Sequence, residues 1–168
     1  RYRNLILTLS DRVWETDAEH RITFLSPAKF GPPTENLLGL RRWEIPGIDA
    51  DSDEWKQYRL TVAARQPLRN FRYCWRNNDG ESQWLEVGGT PIHDDDGNFT
   101  GYRGITNDVT AEVKAEARAR SAQERLTAAI DSVAGPVSLY DSMDRLVVAN
   151  RAWWEFNGPA GNSLTVGI

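Results

Sequence analysis

The sequence is poor in cysteine and histidine, and it contains no long apolar run and no block of basic charge. Its single cysteine, Cys74, excludes an internal disulfide and indicates a reducing compartment. No apolar run approaches the ~20 residues that span a bilayer, and no signal-peptide pattern opens the chain. The formal net charge is −4, with both signs interspersed, which disfavours nucleic acid as a partner. We therefore expect a cytoplasmic segment with no membrane contact of its own, whether or not a longer parent protein is membrane-anchored elsewhere.

The signatures of catalysis and of metal binding are also missing. The chain has no glycine-rich phosphate loop and no serine between glycines at the spacing of a nucleophile elbow. His20 and His93 adjoin turns, where we expect both to be exposed, and no cluster of cysteines or carboxylates completes a metal site with them. Residues 94–98 lack the alternating ligands and the distal glutamate of a calcium loop, so a hairpin turn explains them. The sequence predicts no catalytic residue and no metal site.

A repeat is the most informative feature that is present. Residues 6–28 and 130–152 align without a gap at an offset of 124, which places Asp17 on Asp141. Each copy reads as a short apolar strand ending at aspartate, a polar turn, a second apolar strand and the start of a helix. We therefore expect one complete unit, a connector and the opening of a second unit, cut from a longer protein.

The first unit reads as a mixture of strands and helices. Apolar spacing predicts an N-terminal helix over residues 1–9. The elements expected next are two strands (13–17 and 22–26), an irregular stretch rich in glycine and proline (27–48), a helix (51–66) and three longer strands joined by tight turns (71–76, 83–92 and 99–109). Because side chains alternate along a strand, Phe71, Tyr73 and Trp75 share one face.

Residues 110–133 lack glycine and proline and are strongly helical in composition. Apolar residues recur in steps of four and three, which is the seam of a weak coiled coil. This seam predicts a homodimer, and the alternative is an amphipathic linker helix that lies on its own domain. The seam positions are Ala115, Ala119, Ala122, Leu126, Ala129 and Val133.

Several stretches resemble the PAS domain family. The segments WETD (14–17) and RITFLSPA (21–28) look like the first two PAS strands. The run from Asp79 to Thr110 looks like the last two strands and the exit, and its ending GITNDVT is similar to the family's closing pattern with Val109 in place of isoleucine. The resemblance implies an α+β fold, a five-stranded antiparallel sheet with helices on one face, followed by a long exit helix and the start of a second PAS unit. The implied boundaries are an N-terminal helix (1–9), a PAS domain (10–112), a helical linker (113–134) and the truncated start of a second PAS domain (135–168).

The resemblance also implies a pocket between the sheet and its helices. The residues that the resemblance places toward the pocket are Trp14, Thr16, Trp75, Leu85, Val87, Tyr102, Gly104 and Thr106. The alternation of side chains along the strand adds Tyr73 to this set. A small organic ligand oriented by the threonines and Tyr102 is one reading, and a core simply filled by aromatic side chains is the other. At the end of the last strand, Asp108 and Thr110 are expected to cap the exit helix and transmit a signal to it.

The same comparison disfavours two cofactors. PAS relatives that hold haem use a histidine on the long helix, and residues 51–66 contain none. Light-sensing relatives form a flavin adduct at a cysteine on the preceding short helix, where this chain has Arg42, Trp43 and Glu44. The cofactor, if any, stays unknown.

By resemblance, the segment is a sensory or regulatory module of a bacterial signal-transduction protein. It is not itself an enzyme, and it relays ligand or partner state to an output domain in the same chain. A sensor histidine kinase is the favoured parent. The alternatives are the input module of a cyclic-di-GMP synthase or phosphodiesterase, and a purely structural dimerisation spacer with a filled core.

Overall fold

A mixed arrangement of strands and helices is seen in the computed structural model, which describes residues 12–161. The helix expected over residues 1–9 lies outside the described residues. The chain divides into two units, one up to Val113 and one from Lys114. The described helices of at least eleven residues are α1 (Asp53–Ala63), α2 (Thr110–Asp131) and α3 (Arg151–Gly161).

Five antiparallel strands of the first unit form one sheet in the order β2-β1-β5-β4-β3 within the described residues. The long strands pair as a meander because two tight turns join them. Each turn carries a glycine with positive φ, 83° at Gly80 and 82° at Gly97, which only glycine adopts without strain. The strands are β1 (Arg12–Thr16), β2 (Ile22–Leu25), β3 (Leu68–Arg76), β4 (Ser82–His93) and β5 (Phe99–Asp108).

The connection between β2 and β3 covers one face of this sheet. It contains two short 3-10 helices, Thr34–Asn36 and Arg42–Glu44, and then α1. Helix α1 buries Trp55, Tyr58 and Val62 in the core. It is shorter than the predicted span of 51–66, because the chain leaves helical geometry at Arg65, whose φ is 54°, just before Pro67.

Helix α2 begins where β5 ends. None of its residues, all of which the structure describes, is buried. Helices within residues 12–161 are too short or too polar to cross a membrane.

The second unit contains a hairpin, β6 (Ser138–Tyr140) and β7 (Leu146–Ala149), followed by α3. This hairpin repeats the bonding of the β1–β2 hairpin. The amide of Val13 donates to Ser26 Oγ at 2.8 Å, and the amide of Val137 donates to Asn150 Oδ1 at 2.8 Å. The second donor and acceptor lie 124 positions after the first, so the repeat in sequence is also a repeat in hydrogen bonding.

The turns of the two hairpins match in the same way. One carboxylate oxygen of Asp17 accepts a hydrogen bond from the amide of Arg21 at 2.7 Å. Asp141 accepts one from the amide of Arg145 at 3.0 Å. An aspartate that closes its own turn needs no distant partner, which explains why this residue recurs at the offset of the repeat.

Candidate functional site

The inner face of the sheet, which the helices cover, collects most of the residues that the resemblance places toward a pocket. Trp14 and Val87 have no exposed surface, and Leu85, Tyr102 and Thr106 are at most 2% exposed. Thr16 and Tyr73 are buried as well. Trp75 differs, because it is half-buried at the end of β3 and its indole nitrogen donates to the carbonyl of Pro46 at 2.9 Å.

Trp14 fills the centre of this inner face. Its indole lies over Gly89 and Gly104, which are register partners on β4 and β5. A Cβ at Gly89 would come within 2.7 Å of the indole carbon Cη2 of Trp14. Two glycines are therefore needed where the largest side chain meets the sheet.

Aromatic rings from α1 close over the other end of the face. Trp55 contacts Tyr58, Phe71 and Tyr73 edge-on, with ring centroids 4.9–5.1 Å apart. This is the geometry that aromatic quadrupoles favour. Of the three side chains that alternation placed together on β3, Phe71 and Tyr73 pack against the helix.

Two buried arginines were missed by sequence reasoning. Arg12 and Arg42 are each 4% exposed. Arg12 donates to the carbonyls of Phe30 at 3.0 Å and Pro32 at 3.2 Å. The guanidinium carbon of Arg42 lies 4.6 Å from the ring centre of Trp14, a cation–π contact in a desolvated setting.

The strand alternation could have located Arg12, since it lies two residues before Trp14 and so points to the same face. Arg42 lies in the irregular stretch before α1, where no periodicity indicates which side chains turn inward. The burial of Arg42 therefore cannot be predicted from the sequence and is seen only in the folded structure.

His20 corrects the expectation that both histidines are exposed. Its ring is half-buried and lies 5.9–6.3 Å from the rings of Trp43, Phe99 and Tyr102. Burial, followed by the positive charge of Arg41, lowers the pKa of His20. The turn folds back over β5, a long-range contact that local turn signals do not contain. His93 is exposed.

The single cysteine lies beside an open cleft. Cys74, Tyr73 and Trp84 line this cleft of about 190 Å³ together with the carboxylates Asp49 and Glu54. The cleft lies at the edge of the sheet near the start of α1. Tyr73 therefore lines the cleft as well as contributing to the core.

Tyr102 links the sheet to the end of α1. Its hydroxyl donates to the carbonyl of Gln66 at 2.8 Å, and its amide donates to Thr16 Oγ1 at 3.0 Å. Burial raises the pKa of Tyr102 to about 12, from an ordinary value of 10. The fold thus favours the protonated phenol, which alone can donate this bond.

A pH dependence follows from Tyr102. The contribution of its protonated phenol should be fully present below pH 10 and should be lost as the pH rises toward about 12, because the phenolate cannot donate to Gln66. Unfolding by urea across this range, with phenolate absorbance recorded in parallel, measures the effect. Tyr102→Phe should remove this component of the alkaline loss, and an unchanged alkaline profile in that variant would contradict the assignment.

Asp108 and Thr110 lie where β5 becomes α2. Asp108 Oδ1 accepts a hydrogen bond from the amide of Thr110 at 2.9 Å. Thr110 Oγ1 accepts one from the amide of Trp84 on β4 at 2.9 Å. The amide of Val109 donates to the carbonyl of Trp84, also at 2.9 Å. The start of the helix is therefore joined to a neighbouring strand.

The predicted dimer seam is presented to solvent in the single chain. All six seam residues are exposed, Leu126 by 45% and Val133 by 48%. Val133 lies beyond the last residue of α2, Asp131. Whether a second chain covers these residues stays a prediction.

Comparison with known proteins gives the class of fold. No family model matches the chain. A light-oxygen-voltage domain is similar in structure with a TM-score of 0.55 at 17% identity, over 73% of this chain and 93% of that one. A sensory box histidine kinase/response regulator from Burkholderia thailandensis matches with a TM-score of 0.52 at 18% identity, over 75% of this chain and 98% of that one. The N-terminal domain of a diguanylate cyclase with PAS/PAC sensor from Marinobacter aquaeolei matches with a TM-score of 0.50 at 17% identity, over 60% of this chain and 96% of that one.

The first unit has the PAS fold, so the predicted α+β class, with its five-stranded antiparallel sheet and long following helix, is confirmed. Among curated proteins, the chain is 24% identical over 149 residues to a nitrogen fixation regulatory protein from Klebsiella pneumoniae. That alignment covers 87% of this chain and 30% of the relative. The chain therefore spans about a third of the length of this relative.

Proposed function

We propose that this chain is a sensory or regulatory module that reports the state of its inner face through α2. The observation that carries the proposal is the hydrogen bond between Thr110 Oγ1 and the amide of Trp84. It joins the first residue of the helix to β4. Two residues of that strand, Leu85 and Val87, are buried in the core. A change in packing on the inner face would act on the helix start through this bond.

The route to the helix is short. Thr106 is buried on the inner face of β5, and Asp108 follows on the same strand two residues later. Asp108 in turn holds the amide of Thr110. A ligand or partner that favours one packing of the face can shift the helix only by its difference in affinity for the two states.

The output of the parent protein belongs to this proposal too. We favour a sensor histidine kinase, with a cyclic-di-GMP enzyme as the alternative, since proteins of similar structure are named as a histidine kinase and as a diguanylate cyclase. Pairing of two chains through the seam defined by Ala115, Ala119, Ala122, Leu126, Ala129 and Val133 would carry the shift onward. The small alanines would keep that pair weak and responsive.

A structural spacer is the second candidate, and one observation favours it. Trp14 packs onto the glycines of β4 and β5 and occupies the centre of the face. Native mass spectrometry of the purified protein separates the two functions. A retained small molecule supports sensing, and its absence at every condition tested supports the spacer.

The coupling itself is testable at Thr110. Thr110→Val leaves the amide of Trp84 without its acceptor, and an unsatisfied donor costs about 1 kcal/mol or more. We expect hydrogen exchange at Trp84 and over residues 110–113 to accelerate roughly fivefold or more. Exchange measured by mass spectrometry or NMR reads this directly.

Thr110→Ser is the matched control, since it keeps the hydroxyl and removes only a methyl group. It should exchange like the parent protein. Equal exchange in the valine and serine variants would show that the hydroxyl does not hold the helix start, and the relay would then have no physical basis.

A further inference from the structure

The guanidinium of Arg42 is a permanent positive charge inside the core. It lies over the ring of Trp14 and beside the phenol groups of Tyr58 and Tyr73. Burial raises the pKa of Tyr58, so that phenol is neutral near neutral pH. Within residues 12–161, Arg42 forms no ion pair with a carboxylate. A buried charge that lacks a counter-charge is costly and calls for an explanation.

The unpartnered atoms of Arg42 have a specific arrangement. Among the residues described, neither Nε nor Nη2 has a hydrogen-bond partner, and both are buried. These two nitrogens lie on the same edge of the planar guanidinium and present two parallel N–H groups. That edge is the one that a carboxylate binds with both of its oxygens.

Other unpartnered atoms on the inner face are also donors. They are Nε of Arg12, Nε1 of Trp14 and the hydroxyl of Thr106. A guanidinium and an indole can only donate, and a hydroxyl can donate as well as accept. Most of the unpartnered groups on this face are therefore donors, and a negatively charged acceptor would offset the two arginines.

Arg12 gives a useful contrast. Its terminal nitrogens donate to the carbonyls of Phe30 and Pro32, so backbone oxygens already solvate most of that guanidinium. Arg42 has no such carbonyl acceptor among the residues described, and its side-chain hydrogen bonds go to the phenol groups of Tyr73 and Tyr58. The paired N–H groups without an acceptor among the described residues are therefore those on the Nε–Nη2 edge of Arg42.

We propose that the inner face binds a small carboxylate anion, held by both oxygens on the Nε–Nη2 edge of Arg42. Thr106 and Trp14 are the further donors on the same face. Because Trp14 fills the centre of the face, only a small carboxylate is proposed. This inference rests on the proposed sensory role, since it names the class of ligand that the module would report.

Binding is tested with the full 168-residue chain, using acetate, malonate and succinate at fixed pH and ionic strength. Isothermal titration calorimetry and thermal unfolding should show saturable binding of at least one of them. Arg42→Lys keeps the charge but loses the planar pair of donors, so affinity should fall at least tenfold. Arg69→Lys is the matched control at an exposed position on β3, and it should bind like the parent chain.

A second measurement tests binding in the parent chain, so the test does not depend on whether Arg42→Lys folds. In the parent chain labelled with ¹⁵N-arginine, the carboxylate should shift the Nε–H resonance of Arg42, assigned by its loss in Arg42→Lys or by contacts to the ring of Trp14. No heat and no shift with any of the three carboxylates would overturn the proposal. Binding of phosphate or sulfate in their place would overturn the carboxylate assignment.

The outcomes also separate this proposal from the relay. A carboxylate that binds at Arg42 without altering hydrogen exchange over residues 110–113 upholds the anion site and overturns the sensory role. Altered exchange in Thr110→Val, together with no carboxylate binding, upholds the coupling and overturns the anion site.

Discussion

Gly104→Ala should destabilise the first unit by about 3 kcal/mol or more. A methyl group at this position would overlap the carbonyl oxygen of Gly88 and the indole of Trp14. The carbonyl belongs to the backbone of the neighbouring strand, so it cannot turn aside as a side chain would. Urea unfolding followed by tryptophan fluorescence measures the loss.

Gly88→Ala is the matched control, since it makes the same chemical change in the strand paired with β5. A Cβ there would come no closer than 3.8 Å to its nearest neighbour, the carbonyl oxygen of Leu68. We expect stability within about 0.5 kcal/mol of the parent, or slightly higher, because alanine limits the unfolded chain. Equal losses at both positions would show that the close approach at Gly104 is not what excludes a side chain.

The second large effect is a coupling between Trp14 and Gly89. A methyl group on Gly89 would lie 2.7 and 2.8 Å from two carbons of the indole, so Gly89→Ala alone should cost about 2 kcal/mol. Trp14→Phe removes those carbons and leaves a cavity, at a cost of about 2 kcal/mol or more. Together the two changes should cost less than their sum, by about 1–2 kcal/mol.

The double-mutant cycle has an internal check. Trp14→Phe should give much less relief to Gly104→Ala, because the carbonyl of Gly88 stays in place. The same denaturant unfolding, applied to the three single and two double variants, gives both coupling energies. Additive losses for Trp14 with Gly89 would contradict the packing described here.

Most of the sheet follows from local patterns in the sequence. Alternating apolar residues and turns closed by glycine predict strands at the positions where β1 to β5 are found. Helix α1 is shorter than its pattern suggests, because the positive φ at Arg65 is set by the chain around it. Periodicity identifies elements well and their ends less well.

The residues of the candidate site also differ in whether the sequence predicts their burial. Trp14, Tyr73 and Thr106 are found inside because each occupies an inward position of a regular strand. Arg42 occupies no regular element that would fix its direction beyond one short 3-10 turn. Its burial depends on Trp14 and on two tyrosines brought from distant segments, and such contacts leave no local signal.

The repeated hairpin has a consequence for the order in which parts of the chain fold. Its hydrogen bonds, such as those within Asp17–Arg21 and between Val13 and Ser26, join residues close in sequence. Closing such short loops costs little chain entropy. Pairing of Arg12 with Thr106, in contrast, must wait until both ends of the unit exist. On a ribosome, each copy of the hairpin can therefore form as soon as it emerges, and completion of the sheet falls to β5, the strand that leads into α2.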